Sequence, residues 1–378
     1  MRTSLRHLAL ICILAGGAGV ARAQNQSDDA LSAKVDAVVG AQMREQNIPG
    51  VSLAVMRDGK VIKAAGYGLA NVELNSPVTP QSVFTTCSIA KQFVATGVMM
   101  LVEQGKVALG ESVAKYLPNS PPAWKDITVR HLLTHTSGVP DYAFGPTPLV
   151  DLRHDYTEDE VVRILARQSL DFPPGQKRSY SNSGYVILGA LIREVTGKRW
   201  DEFLQERIFR PFGMTSTRLM SETDIIPNRV RAYALVNDQW KNEKWWAPSL
   251  NTFADGGLYT TVLDMAKWDA ALYTEKVIKR SSLEQMWTPV KLNSGQNYPN
   301  GLGWLLGERN GHRVVWHDGY FEGTSTVISR YPDDRLTIVV FMNIGGGDEE
   351  NPRQVRIADE VAAIYLPALK VSAVSRNN

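Results

Sequence analysis

Cysteine is nearly missing from this chain: Cys12 and Cys87 are the only two in 378 residues. Cys12 lies in an N-terminal apolar stretch, so Cys87 stands alone beyond it and no intramolecular disulfide framework can form. A chain without such staples depends on burial, and roughly 355 residues past the leader can bury a sizeable core. An excess of one charge is missing too, with 41 Lys+Arg against 39 Asp+Glu. Removing Arg2, Arg6 and Arg22 with the leader takes Lys+Arg from 41 to 38, a balance near −1. That balance argues against nucleic acid or an anionic membrane surface as the main partner. Histidine is sparse, at six residues, and shows no zinc-ligand spacing. H-E-x-x-H, a phosphate-binding loop and the G-x-S-x-G elbow are all absent, so catalysis here is expected to use neither metal nor nucleotide cofactor.

What is present begins with a leader. Arg2 and Arg6 precede an apolar stretch from Leu8 to about Val20, and Ala21-Arg22-Ala23 forms a small-residue cleavage pattern. The stretch is too short to span a bilayer. Cys12 sits inside it with no cysteine at the cleavage point, which argues against a lipid anchor. The expectation is an exported, soluble chain starting near Gln24, periplasmic or extracellular, with no stable membrane span.

Residues 29–47 read as an amphipathic helix. Residues 50–68 read as a hairpin turning at Asp58-Gly59. The far end carries short strands at 304–306, 313–316, 324–329 and 336–341, then a helix over 353–365. Between them, about 106–290 is mainly helical with Pro-bounded loops. This order predicts an α/β (α+β) fold with one antiparallel sheet built from both chain ends, flanked by helices, and an inserted helical lobe. The corresponding division is a sheet domain of 24–105 plus 291–378 and a lobe of 106–290. Trp240, Trp245 and Trp246 cluster near a possible hairpin at 230–247, where packing of the lobe is favoured over a substrate wall.

Ser88-Ile89-Ala90-Lys91 places a hydroxyl and an amine three residues apart at the start of an apolar helix, so one turn brings both to one face. A serine hydroxyl needs a base to become a nucleophile, and a lysine with a lowered pKa can be that base. A second copy, Ser112-Val113-Ala114-Lys115, has no core helix behind it, and Ser112 reads as a surface residue. Cys87 reads as a small core residue, because the lysine spacing suits Ser88. Tyr180-Ser181-Asn182, in a loop leading into a helix, supplies a second proton-handling group and a polar group for substrate. Tyr298-Pro299-Asn300 repeats the pattern but carries a central proline and no following helix. His317-Asp318-Gly319 follows a strand ending at Trp316, and Gly319 would let substrate backbone lie close to a strand edge.

In this order and at these distances, the three motifs resemble the β-lactamase-like serine hydrolases. That superfamily holds class C β-lactamases, D,D-peptidases (penicillin-binding proteins), and related esterases and D-amino-acid peptidases. Residues 127–138, with His131 and His135, look like its structural signature, and Asp255-Gly256-Gly257 looks like its later glycine turn. The resemblance covers nearly the whole chain past the leader. It implies Ser88 as nucleophile, with Lys91 and Tyr180 sharing its proton. Asn182 would bind the substrate amide, His317 and Gly319 would face substrate, and the N–H groups of Ser88 and Tyr320 would form the oxyanion hole. His131 and His135 stay structural in this reading.

Many relatives carry lysine where His317 stands, and histidine is charged only below about pH 6.5 unless perturbed. The expected substrate is therefore a small molecule or short peptide cleaved at an amide or ester, with D-amino-acid peptides and esters level and β-lactams third. No dedicated deacylation carboxylate stands out. A non-catalytic penicillin-binding scaffold or sensor is the alternative of another class, and the intact Ser88, Lys91, Tyr180 and Asn182 favour the enzyme. Oligomeric state stays open.

Overall fold

The computed structural model describes residues 29–145, 148–243, 247–309, 311–321, 323–345 and 352–366. The leader at 1–23 and the tryptophans Trp245 and Trp246 lie outside them. Helix α1 (29–45) leads into strand β1 (Gly50–Arg57), which turns at Asp58-Gly59 into β2 (Lys60–Asn71) and the short β3 (Ser76–Pro77). Asp58 and Gly59 have φ of 55° and 70°, the pair of left-handed conformations that a two-residue type I′ hairpin requires.

The middle of the chain contributes β4 (Phe84–Thr85), α2 (Ala90–Glu103), α3 (Val129–Leu133), α4 (Glu158–Ala166), α5 (Ser183–Thr196) and α6 (Trp200–Leu204). It continues with β5 (Arg218–Leu219), the hairpin of β6 (Tyr233–Val236) and β7 (Gln239–Asn242), then β8 (Leu258–Thr260), α7 (Val262–Ala271) and α8 (Arg280–Met286). After the small pair β9 (Val290–Lys291) and β10 (Asn297–Tyr298) come β11 (Leu305–Arg309), β12 (His312–Phe321), β13 (Thr324–Tyr331), β14 (Leu336–Met342) and α9 (Arg353–Tyr365).

The main sheet has seven strands in the order β11-β12-β13-β14-β1-β2-β3, and every neighbouring pair is antiparallel. The expected union of the two chain ends is thus present, with β14 lying beside β1. The period of two sorts these strands between two cores. Leu53 and Val55 of β1, with Ile338 and Val340 of β14, face Val35 and Val39 of α1 and Ile357 and Val361 of α9. Ala54 and Met56, with Val339 and Phe341, face the larger core around Phe93 and Val94 of α2 and Trp268 of α7. With both faces covered, β13 and β14 are buried along their whole length. Helix α2 is buried from Ala90 through Leu101 because it packs between sheet and lobe.

Three readings need correction. Ser112 is half-buried: its hydroxyl accepts from Ala114 N and caps the turn Val113–Lys115. Trp240 packs on the α1 side of the sheet, not in the lobe, and its indole N–H donates to Asn47 O at 2.8 Å. The strand expected to end at Trp316 continues to Phe321. Pairing of Gly319 with Thr326 and Phe321 with Thr324 keeps it extended, and the left-handed Gly323 makes the turn instead. Among the described residues no helix is long and apolar enough to cross a membrane.

Helix α7 is locked to the sheet by a fully buried ion pair. Arg330 Nε on β13 donates to Asp269 Oδ1 at 2.7 Å, and Thr337 Oγ1 donates to the same oxygen at 2.7 Å. Removing one partner strands the other charge away from water. Asp269→Ala is expected to lower stability by about 3–5 kcal/mol in urea unfolding, and a loss under about 1 kcal/mol would show that water reaches Arg330.

Candidate active site

The nucleophile candidate stands at a strained corner. After β4 the chain enters a short 3-10 turn, Cys87–Ile89, which runs directly into α2. Cys87, immediately before Ser88, adopts φ of 49°, a conformation costly for a side chain with a Cβ and found mostly where the surroundings enforce it. The enforcement is visible at Thr86. Its hydroxyl donates to Gly256 O (3.2 Å) and Leu258 O (3.1 Å), and its carbonyl accepts from Thr326 Oγ1 (2.9 Å). Strand β12 crosses the same corner at Gly319. A Cβ there would lie 2.6 Å from Cys87 Cβ and 2.7 Å from Ser88 N, so only glycine permits the approach.

Lys91, one turn on, is fully buried. Its amine lies 3.0 Å from Ser88 Oγ, 2.9 Å from Asn182 Oδ1 and 2.5 Å from Asp255 O. Burial pulls its pKa down to about 8, opposed by the nearby charges of Asp255 and Asp141. An ammonium would donate to all three oxygens. A neutral amine has two hydrogens for the two groups that can only accept, and its lone pair then faces the Ser88 hydroxyl.

Tyr180 completes the proton circuit, its hydroxyl donating to Ser88 Oγ at 2.6 Å. Burial raises its pKa, against the opposing effect of the Ser88 bond, so the phenol stays protonated at neutral pH. His135 holds this tyrosine from three directions. The imidazole stacks on the phenol ring at 4.4 Å, Nδ1 lies 3.2 Å from Ser181 O and 3.3 Å from Ser181 N, and the carbonyl accepts from Ser179 N at 2.9 Å. His135 is therefore structural with a specific purpose, the placement of Tyr180. His131 closes the cap of α3, with Nδ1 accepting from Thr128 N at 3.2 Å. Asn182, at the start of α5, is oriented by Asp141, whose Oδ2 accepts from both its backbone N (2.6 Å) and its Nδ2 (3.1 Å).

His317 lies on β12 beyond the last β11 pairing, Leu305 with Trp316, so 317–321 have one edge free of a strand partner. Its Nδ1 is 2.6 Å from Asp318 O. A carbonyl can only accept, so Nδ1 carries the proton and Nε2 of the neutral ring is an acceptor. Burial, reinforced by Lys91, drops its pKa to about 3. The perturbation that the sequence left open is therefore toward the neutral ring, which holds across the working range. Ser88, Tyr180, Asn182, His317, Gly319 and Tyr320 all line one pocket of about 580 Å³, with Lys91 behind Ser88 and Tyr320 54% exposed.

A protein-family model described as Beta-lactamase matches residues 35–363 of this chain. The chain belongs to the Beta-lactamase family. Within it, the chain is 30% identical over 300 residues to "Penicillin-binding protein 4*" of Bacillus subtilis (strain 168), covering 75% of this chain and 66% of that protein. It is 29% identical to "D-aminopeptidase" of Gluconobacter oxydans (strain 621H), covering 83% of this chain and 59% of that one. The chain therefore spans about three-fifths to two-thirds of the length of these curated relatives. Among solved structures, D-amino acid amidase from Ochrobactrum anthropi SV3, complexed with L-phenylalanine amide, superposes with TM-score 0.76 at 27% identity, covering 90% of this chain and 98% of that chain.

The family motifs led to six pocket-lining residues and to Lys91 behind them, and missed three partners. Asp255 was visible only as part of a glycine turn, since its contact with Lys91 is made by the backbone carbonyl. Asp141 could be read after Gly138-Val139-Pro140 as a turn-forming aspartate but not as the partner of Asn182, 41 residues away. His135 sat in a recognised signature, yet its neighbour Tyr180 is set by tertiary packing. Gly319→Ala is expected to slow labelling of Ser88 by a fluorophosphonate at least tenfold; equal labelling rates would show that β12 can retreat from the corner.

Proposed function

We propose that this chain is a serine hydrolase that cleaves small amides, and esters with them, through an acyl-enzyme on Ser88. The observation that carries the reading is Ser88 Oγ held between the amine of Lys91 at 3.0 Å and the phenol of Tyr180 at 2.6 Å, at the wall of a pocket. Neutral Lys91 takes the Ser88 proton as Oγ bonds to the substrate carbonyl carbon. The backbone N–H groups of Ser88 and Tyr320 are assigned to the developing oxyanion. Collapse breaks the C–N or C–O bond, and the leaving amine or alcohol receives a proton through Tyr180, which Lys91 resupplies. Water then attacks the ester carbon, gives a proton to the same relay, and releases the acid and free Ser88.

A neutral His317 shapes the substrate choice. Its Nε2 accepts hydrogen bonds and offers no cation to a carboxylate, so the reading places amides and esters without a carboxylate first. D-alanyl-D-alanine peptides and β-lactams, which bear one, would have to rely on the Arg178 guanidinium that lines the same pocket. The D-aminopeptidase and amidase relatives support the same order. Export to the periplasm or outside the cell belongs to this proposal, supported by the leader pattern of residues 1–23.

The test is to incubate the purified protein with D-phenylalaninamide, p-nitrophenyl acetate, D-Ala-D-Ala peptide and nitrocefin, and to locate the acylated residue by mass spectrometry. Turnover of the first two with acyl-Ser88 is expected, and Ser88→Ala should lower it at least about 10³-fold. Acylation elsewhere, or none with any substrate or fluorophosphonate, would favour the scaffold instead, and nitrocefin as best substrate would favour a β-lactamase. With Lys91 required neutral, kcat/KM should fall about tenfold per pH unit below a pKa near 8. His317 should add no limb between pH 5 and 7. A profile flat from pH 6 to 9 would remove Lys91 as base.

A further inference from the structure

We propose that Arg178 is a positioning residue for the proton donor: its guanidinium, held against the Tyr180 ring, stabilises the negative charge that gathers on that phenol as it protonates the leaving group. The site can thereby expel leaving groups that cannot depart without a proton, the amines and alkoxides of amides and alkyl esters. This rests on the Ser88 acyl-enzyme reading.

Among the described residues that line the pocket, Arg178 is the one lysine or arginine, set against three acids, Asp141, Asp255 and Asp318. Lys91, behind Ser88, has to be neutral for the reaction to begin, and His317 is neutral, so neither supplies a standing positive charge. A guanidinium keeps its charge throughout. Its central carbon lies 5.5 Å from the Tyr180 ring centroid. The Lys91 amine is 5.1 Å from the same ring, but it carries charge only while it holds the Ser88 proton. The attraction between a cation and an aromatic ring grows as the ring takes on negative charge, and it counts for more where water is excluded. Burial is the main reason that Tyr180 resists ionising. Asp255 and Asp318 add to that resistance, while the Ser88 bond and Arg178 oppose it.

The guanidinium is held by elements distant in sequence. On one side of its loop, Gly175 N and Ser179 N donate to Thr136 O (2.8 Å) and His135 O (2.9 Å). On the other, Asn293, between β9 and β10, donates from its backbone N to Gly175 O and from Nδ2 to Pro174 O, each at 2.9 Å. Gly175 has φ of 79°, and a Cβ there would lie 2.5 Å from Asn293 Oδ1, so this seating needs glycine. Strand β10 then brings in Tyr298, whose ring centroid is 5.7 Å from the Arg178 guanidinium carbon. Arg178 is thus in contact with two rings, Tyr298 and Tyr180, and Tyr180 is itself stacked on His135. The second Tyr-x-Asn copy, Tyr298-Pro299-Asn300, serves the site through this ring.

The test compares kcat/KM for three substrates that share one acyl group: the amide, methyl ester and p-nitrophenyl ester of D-phenylalanine. Ammonia and methanol need a proton to leave, whereas p-nitrophenolate departs as an anion. In Arg178→Gln the ratio of amide or methyl ester to p-nitrophenyl ester, whichever of the two the wild type turns over, is expected to fall at least tenfold. For the amide the fall should lie in kcat, and Arg178→Lys should recover part of it. Equal losses on all substrates, or no loss, overturn the proposal; continued acylation of Ser88 then leaves the hydrolase reading standing. A loss confined to D-Ala-D-Ala peptide and expressed in KM makes Arg178 a carboxylate clamp, and overturns the proposal as well. Should Arg178→Gln not fold, Tyr298→Leu decides: the same ratio should fall at least threefold, and an unchanged ratio refutes the role. If nothing acylates Ser88 in the wild type, the hydrolase reading fails and this proposal with it.

Discussion

The amine of Lys91 is withdrawn from water into a cage of three oxygens, and the rest of the site is arranged around that constraint. A buried ammonium is costly unless it is paired and hydrogen-bonded, so the residue sits where its charged form is just tolerable. Ser88 Oγ, Asn182 Oδ1 and Asp255 O satisfy it when protonated, while Asp255 and Asp141 supply negative charge nearby. When the proton leaves, two of those oxygens still accept, and only Ser88 has a hydrogen to give. The direction of proton flow is therefore written into the hydrogen-bond inventory of the cage.

Holding that cage requires backbone from four distant parts of the chain. The turn at Cys87–Ile89 supplies Ser88, the loop ahead of α5 supplies Tyr180 and Asn182, the loop ahead of β8 supplies Asp255, and β12 passes overhead at Gly319. The left-handed Cys87 is kept in place by hydrogen bonds through Thr86 to the loop ahead of β8 and to β13. The rigid element beneath is α2, whose burial on all sides gives Lys91 little room to turn toward solvent. Precision at the nucleophile is thus a consequence of packing around one helix, with the sheet on one side and the lobe on the other.

Much of the architecture was legible because local patterns carry it. The Asp58-Gly59 turn, the paired apolar runs at 51–56 and 336–341 and the helix at 353–365 each announce themselves through periodicity or turn chemistry. The end of β12 was misread, since a glycine at 319 reads as a turn when its pairing with Thr326 is unknown. Ser112 and Trp240 were misplaced for a similar reason: their partners, Ala114 N and Asn47 O, are backbone groups that leave no mark on the sequence pattern. At the site, side chains matching a family motif were found, whereas those acting through a backbone carbonyl or a stacked ring were not.

By itself, the sequence determined the order of elements and the covering of both sheet faces through residue type and spacing, and the identity of the hydroxyl, amine, phenol and imidazole through the resemblance of its motifs to a family. The protonation states were decided only by tertiary structure. Lys91 near 8 and His317 near 3 depend on how much water is excluded and which charges lie across space. The hydrogen bond that Asp255 accepts from Tyr142, 113 residues away, is likewise made only in the folded chain. Desolvation and through-space contact are properties of the folded volume, and no window of sequence contains them.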